Sequence, residues 1–449
     1  MKMGILVGGG PAPGINGVIG AAAIEAVNND IEVLGFFDGF KHLTAEHFNP
    51  KEHVWPLSIP DVGRVHLNGG SILRTSRTSL IAPNKIDENA VVEADPQKVQ
   101  RVLSRFKELG VTMLLTIGGD DTALSARFVC EGSRGAVRVA HVPKTIDNDL
   151  PLDGDVPTFG YTSARTLGTE LVANLMEDSR TTGRWYLVQT MGRNAGFLAL
   201  GIGKAAGATL TLIPEEFPGD TTVADLATII EGAVLKRRVM GRQDGVAVIA
   251  EGLAYKLGDA AELSQMLGRE VPVDAAGHPR LAEVPLANLL KDELTRRFKA
   301  RGDKLTIVSH TLGYELRCAR PQSYDLAYCR DLGHGGVRLL LDWQRDLPGG
   351  VMVTIRHGEL HPVPFDSLVD PRTKRTRIRQ VDLRSYYYEV ARAYMIRLEP
   401  EDFDAPKMLD ALAHEAKVSP FQFRKTFEPV VLGCSKQPGP VTLHAAGGN

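Results

Sequence analysis

The sequence predicts an α/β protein with two mainly parallel sheets and helices on both of their faces. Three observations predict it. Apolar runs of strand length alternate with runs of helical period, in the opening third and again in the middle of the chain. The clearest run, "VTMLLTIGGDD" (111–121), is apolar on both faces, as a strand in a helix-covered parallel sheet must be. Glycine-rich and acidic clusters fall just past the strand ends, where open α/β sheets bind ligands.

The elements follow in order. "MGILVGGG" opens as a strand, Gly17–Asn29 is an alanine-rich helix, and "IEVLGFF" is the next strand. Asp95-Pro96 starts a helix with a capping residue and a first-turn proline. It sets Val99, Val102, Leu103, Phe106 and Leu109 on one face, and Gly110 stops it. The apolar strand from Val111 comes next. In the middle, "RWYLVQTMG" is a strand, residues 194–206 a helix, "TLTLIPEE" a strand, 222–238 a helix, and "GVAVIAEG" the closing strand. The polar stretch from Leu257 to Asp303 reads as an insertion, and the last ten residues as a frayed tail.

Composition narrows the function classes. The chain has 449 residues, enough for two or three domains, with 43% hydrophobic and 24% charged residues, which excludes fibrous and disordered classes. A net charge of -2 gives no general attraction to nucleic acid or an acidic membrane, so any anion is held locally. Cys130, Cys318, Cys329 and Cys434 have neither CxxC spacing nor a histidine cluster, and fit reduced, mostly buried thiols of a cytoplasmic protein. Neither a signal peptide nor a membrane-spanning run is expected from the pattern.

The polar clusters carry the chemistry. "GGGPAPG" (8–14) follows the first strand and opens a helix, whose N-terminus favours phosphate; alone it is also a tight structural turn. "GGDDT" (118–122) lets backbone amides face a phosphate while a carboxylate reaches a metal. "PKTIDNDL" (143–150) places Asp147 and Asp149 two apart, on one face of an extended segment, with Lys144 an odd step away; its bland reading is an Asx-rich turn. "GGSILRTSRTS" puts Arg74 and Arg77 among hydroxyls, "MGRN" puts Arg193 past a strand that Arg184 begins, and "GYELRCARPQSYD" supplies Tyr314, Glu315, Arg317 and Arg320. Carboxylates, a lysine and glycine turns together point to phosphoryl transfer, which needs a metal, cations and a base for the acceptor hydroxyl.

In this order, GGxAPGxN, GGDx, TIDND, MGR, an EG glutamate and an arginine before PxxYD resemble the phosphofructokinase family over about residues 1–335. The resemblance implies two α/β domains with the active site in the cleft between them. Residues 1–160 with about 316–366 would bind the donor, and 161–315 with about 367–440 the sugar phosphate. ATP-dependent members typically have glycine after the first aspartate of GGD and before TIDND. Asp121 and Lys144 match the pyrophosphate-dependent members instead: a carboxylate at 121 would crowd and repel a nucleotide α-phosphate.

The family's roles carry over residue by residue. Asp147 resembles the base that deprotonates the C1 hydroxyl of fructose 6-phosphate, with Asp149 beside it and Thr145 on the same loop. Asp120 resembles the Mg²⁺-linked carboxylate. Gly10, Arg77, Gly119, Asp120, Thr122 and Lys144 would surround pyrophosphate. Met191, Gly192, Arg193, Glu251, Tyr314 and Arg317 match sugar-phosphate positions, and Arg184 matches an arginine that reaches a neighbouring subunit's site, implying a homodimer or homotetramer. The product would be fructose 1,6-bisphosphate.

Tyr314 departs from the histidine of compact ATP enzymes. Lys304 is the nearest cation to an arginine expected before it, and Arg74 stands where a small residue is common. Two other readings stay open on the residues. One is a same-fold kinase preferring ATP or another sugar phosphate, such as sedoheptulose 7-phosphate. The other is a non-catalytic sugar-phosphate-binding regulatory subunit, which would be expected to lack the base or the metal carboxylate.

Overall fold

A computed structural model of the chain describes residues 1–82, 91–152, 156–258, 260–272, 284–342 and 350–435. The tail expected at 440–449 lies outside them. The chain divides into two compact units. The first is built chiefly from Met1–Thr166 and Tyr314–Arg379, and the second from Leu167–Pro272, Pro279–Gly313 and Gln380–Asn449.

Among the described residues the strands are β1 (Lys2–Val7), β2 (Glu32–Phe36), β3 (Val54–Leu57), β4 (Val111–Gly118), β5 (Arg138–Thr145), β6 (Phe159–Gly160), β7 (Trp185–Thr190), β8 (Leu210–Leu212), β9 (Gly245–Ala250), β10 (Ile307–Leu312), β11 (Val351–Arg356) and β12 (Glu359–Pro364). The first unit holds a sheet ordered β12-β11-β5-β4-β1-β2-β3, with β6 pairing β5 at Lys144 and Thr145. Its edge strands β3 and β12 pair antiparallel, and the strands between them are parallel. The second unit holds a parallel sheet, β10-β7-β9-β8. The predicted fold class is what the molecule adopts.

Strand alternation feeds two cores in the first unit. Met3, Ile5 and Val7 face Ile15, Val18 and Ile19 of the helix Ile15–Asn28, with Leu332 and Val337 of the helix Ser323–Leu341. Leu6 and Leu114 face the other way, onto Val102 and Phe106 of the helix Pro96–Leu109 and Val129 of the helix Asp120–Ser133. Each such aliphatic side chain contributes roughly 1.5–3 kcal/mol by leaving water. The helix at Pro96 is capped as its sequence requires. Asp95 Oδ1 accepts from Gln97 N at 3.0 Å and Lys98 N at 3.2 Å, and Gly110 ends it with φ 74°.

Three sequence expectations need correction. Pro214 cuts "TLTLIPEE" short: the strand is Leu210–Leu212, and a 3₁₀ turn follows at Pro214–Glu216. The helix expected from 194 begins at Phe197, because Arg193 and Asn194 form a turn, closed by Ala195 N donating to Gly192 O at 3.0 Å, and Gly196 is the N-cap. The stretch 257–303 is not a mere insertion. Its helix Leu286–Ala300 buries Leu286, Leu290, Leu294 and Phe298, four apart, in the core of the second unit beside Trp185 and Leu187. The charged residues between them hide that stripe in a reading by mean polarity.

Cys130 and Cys329 are buried free thiols, while Cys318 is exposed. Among the described residues no helix is long and apolar enough to cross a membrane.

Candidate active site

β1 and β4 are neighbours in the first sheet, yet their following helices pack on opposite faces, so their loops stand side by side where the strand order reverses. Gly8 N donates to Ile117 O at 2.9 Å and ties them. Neither following helix carries a side-chain cap, which leaves first-turn N–H groups for an anion. Gly14 starts the first of these helices at φ 106°, a conformation that costs a side chain dearly; a Cβ there would also stand 2.5 Å from Cys329 Sγ.

Asp120 and Asp121 occupy the first turn of the second, half-buried, with Gly119 before them as N-cap. Thr122 packs between the two loops: a Cβ on Gly8 or on Gly118 would stand 2.4 Å from its Oγ1.

The arginine-bearing segment lies along the glycine loop. Gly9 N donates to Ser76 O at 2.9 Å, and Thr75 Oγ1 donates to Gly9 O at 2.7 Å, which sets the exposed Arg77 beside it. Arg74 has a structural place. It pairs with Asp38 at 3.2 Å and lies 4.6 Å from the Phe37 ring centroid. Asn16, the last letter of GGxAPGxN, anchors this segment from below: its Nδ2 donates to Asn68 O at 3.1 Å, and its Oδ1 accepts from Ile72 N at 2.9 Å.

Lys144, at the end of β5, is 5% exposed, and its Nζ donates to Gly10 O. Burial, and then the Arg317 cation, push its pKa down to about 8, while Asp147, Asp120 and Asp149 pull the other way. Lys144, Arg317, Asp120, Asp147 and Asp149 therefore form one charged group beside Gly10. The guanidinium of Arg317, expected on the sugar phosphate, lies against the glycine loop, where a Cβ on Gly10 would meet its Cζ at 3.2 Å. Tyr314, 60% exposed, lies with its ring 5.1 Å from that guanidinium.

The expectation that Asp147 and Asp149 share a face of an extended segment is wrong. β5 ends at Thr145, and Asn148 adopts a left-handed φ of 58°, so the period of two does not apply. Thr145 turns the chain instead, accepting from Asp147 N at 3.0 Å through Oγ1.

In the second unit, Met191, Gly192 and Arg193 follow the carboxyl end of β7. Glu251, 5% exposed at the end of β9, accepts from Gly192 N at 3.2 Å and Arg193 N at 2.9 Å through Oε1. Gly252 admits this turn closely, since a Cβ there would stand 2.2 Å from Arg193 O. Arg193 itself is left-handed, with φ 51°. Arg184 lies at the opposite, amino end of β7, 4.0 Å from Asp178. The single chain does not bring it to Arg193.

Sequence reasoning missed two residues that shape the first group. Asp325, the last letter of PxxYD, is fully buried and accepts from Gly160 N and Ser163 N at 2.9 Å each, clamping the start of the helix Tyr161–Thr182. Arg379 binds the Asn148 turn. Asp325 was visible as a motif letter without a role; nothing in the spacing of Arg379 announces it.

The fold and these loops define an α/β protein with charged groups gathered at strand ends. A family model described as "Phosphofructokinase" matches residues 2–340, and the chain belongs to the phosphofructokinase family. Over 426 residues it is 53% identical to a pyrophosphate--fructose 6-phosphate 1-phosphotransferase of Thermotoga maritima, covering 95% of this chain and 98% of that protein. A protein of the same name from Naegleria fowleri is 45% identical over 437 residues, covering 96% and 95%. Among solved structures, a pyrophosphate-dependent phosphofructokinase from Nitrosospira multiformis shares the fold, with a TM-score of 0.60 at 17% identity over 87% of this chain and 91% of that one.

Proposed function

We propose that this chain transfers a phosphoryl group from pyrophosphate to the C1 hydroxyl of fructose 6-phosphate, giving fructose 1,6-bisphosphate and phosphate. The observation that carries this reading is buried Lys144, tied to Gly10 and surrounded by Asp120, Asp147, Asp149 and Arg317. The names of the two relatives support the donor and the acceptor.

Asp147 takes the C1 hydroxyl proton as that oxygen attacks the terminal phosphorus, and the bridging P–O bond breaks to release phosphate. Lys144 and Arg317 hold the charge that develops on the leaving group. Gly10, Arg77, Gly119 and Thr122 line the donor; Asp149 and Thr145 set the acceptor side of the turn. Met191, Gly192, Arg193, Glu251 and Tyr314 hold the sugar phosphate.

Mg²⁺ fits Asp120. Among the described residues no cluster of three ligating side chains could cage a metal, and a lone carboxylate beside phosphate oxygens is how Mg²⁺ is usually held. When bound, it neutralises pyrophosphate oxygens. Asp121 stands where a nucleotide would continue past its β-phosphate, and excludes it by repulsion.

The donor is served by a domain of residues 1–160 with about 316–366, and the sugar phosphate by one of 161–315 with about 367–440. The reaction runs near equilibrium, serving glycolysis and gluconeogenesis in the cytoplasm. Arg184, a strand length (roughly 20 Å) from the carboxyl end of β7, completes a neighbouring subunit's site in a homodimer or homotetramer.

The test is initial rates with fructose 6-phosphate and Mg²⁺, using pyrophosphate or ATP, on the wild type and on Asp121→Gly/Lys144→Gly. Activity with pyrophosphate alone, moving toward ATP in the double variant, is expected. ATP activity in the wild type would remove the donor assignment.

A further inference from the structure

The turn carrying Asp147 and Asp149 belongs to neither a strand ladder nor a helix, so something else must fix it. Part of the answer is local. Thr158 N donates to Asn148 Oδ1 at 3.0 Å, and Thr158 Oγ1 donates to Thr145 O at 2.8 Å. The rest comes from one residue 231 positions further on. Arg379 Nε donates to Asn148 O at 3.1 Å, its Nη1 to Val156 O at 3.1 Å, and its Nη2 to Asn148 Oδ1. Its backbone N donates to Asp149 O at 2.7 Å.

We infer that Arg379 is a positioning residue for phosphoryl transfer: it holds Asn148 left-handed and thereby presents the carboxylates of Asp147 and Asp149 in register. The inference rests on the proposed role of that turn. Asn148 is suited to its place twice over, because asparagine tolerates the left-handed region and its Oδ1 is the acceptor shared by Thr158 and Arg379. Arginine is suited to its place because three acceptors diverge around one planar fork; a lysine ammonium is a point charge and cannot span them. Its bonds are charge-assisted and half-buried, which makes them strong. Release would let the turn relax, and a displacement of about 1 Å at a reacting group costs about 100-fold in rate.

The test compares the wild type with Arg379→Lys, Arg379→Gln and Asn148→Gly, the last keeping the backbone conformation while removing Oδ1. Both arginine variants are expected to lose about 10- to 100-fold in kcat, with KM for fructose 6-phosphate and pyrophosphate within about threefold. Asn148→Gly should slow Arg379→Gln by less than it slows the wild type, because the two variants share one contact while the Thr158 bond to Asn148 is lost only with Asn148. Hydrogen exchange supplies a readout independent of activity: the Thr158 amide should exchange faster in Arg379→Gln, while β4 amides keep their protection.

Unchanged kcat would overturn the inference. So would a loss of protection throughout the first unit, which would make Arg379 a general stabilising residue. A wild type inactive with pyrophosphate would instead remove the functional reading, and the Thr158 amide would still decide whether Arg379 holds the turn.

Discussion

Lys144 gives the molecule a pH dependence with two opposite signs. Its folded pKa of about 8 lies below that of the unfolded chain, so the unfolded state binds more protons between the two values. Stability should therefore rise as pH climbs from about 8 toward the ordinary lysine value of about 10.4, and the full cost of the buried cation is present below pH 8. On the proposed reading activity runs the other way, since the charged form is the one that would meet pyrophosphate. We expect kcat/KM for pyrophosphate to fall above pH 8 and, in Lys144→Met, to be lower throughout and flat there. Thermal melts of both proteins across the same range should differ in slope. Asp147→Asn should lower kcat by about 10²–10⁴, with fructose 6-phosphate binding retained in calorimetry. At this scale Lys144, Asp120, Asp147 and Asp149 were legible because each lies in a short local motif. Arg317 against Gly10 was not, nor Arg379 against Asn148, because spacing along the chain encodes no contact across hundreds of residues.

The elements divide by how local their causes are. The helix Pro96–Leu109 was readable end to end from its cap, its apolar stripe and its glycine stop. The helix Leu286–Ala300 obeys the same periodicity, but Lys291, Asp292, Glu293, Arg296 and Arg297 make its composition look like surface. Leu294→Ala should lower the stability of the second unit by about 2–5 kcal/mol. Urea unfolding followed by Trp185 fluorescence, with Trp55 and Trp343 replaced by phenylalanine, measures it. The turn after β7 depends on a neighbour rather than on itself. Gly252→Ala would drive a methyl into Arg193 O, so KM for fructose 6-phosphate should rise about tenfold or more, while the pyrophosphate KM stays put.

At the scale of the molecule, the proposed sharing of Arg184 between subunits would make them interdependent. Arg184→Ala and Asp147→Asn, each inactive alone, should regain about a quarter of wild-type activity when refolded together as dimers, because half the dimers are mixed and each has one intact site. Two sheets were foreseen because the strand-helix alternation stops and resumes. The family resemblance alone suggested that about 316–366 return to the first domain, since nothing in local periodicity tells a late strand which sheet it will join; in the structure Tyr314–Arg379 belong to the first unit. That return governs how the protein is born. β5 is finished at Thr145, but its partner β11 begins at Val351. At about 5–20 residues per second, a ribosome leaves that strand waiting on the order of 10–40 s with the Ala140–His141 part of its hydrogen-bonding side uncovered. Nascent chains stalled in that interval should recruit holdase chaperones, and messages truncated before codon 351 should yield insoluble product.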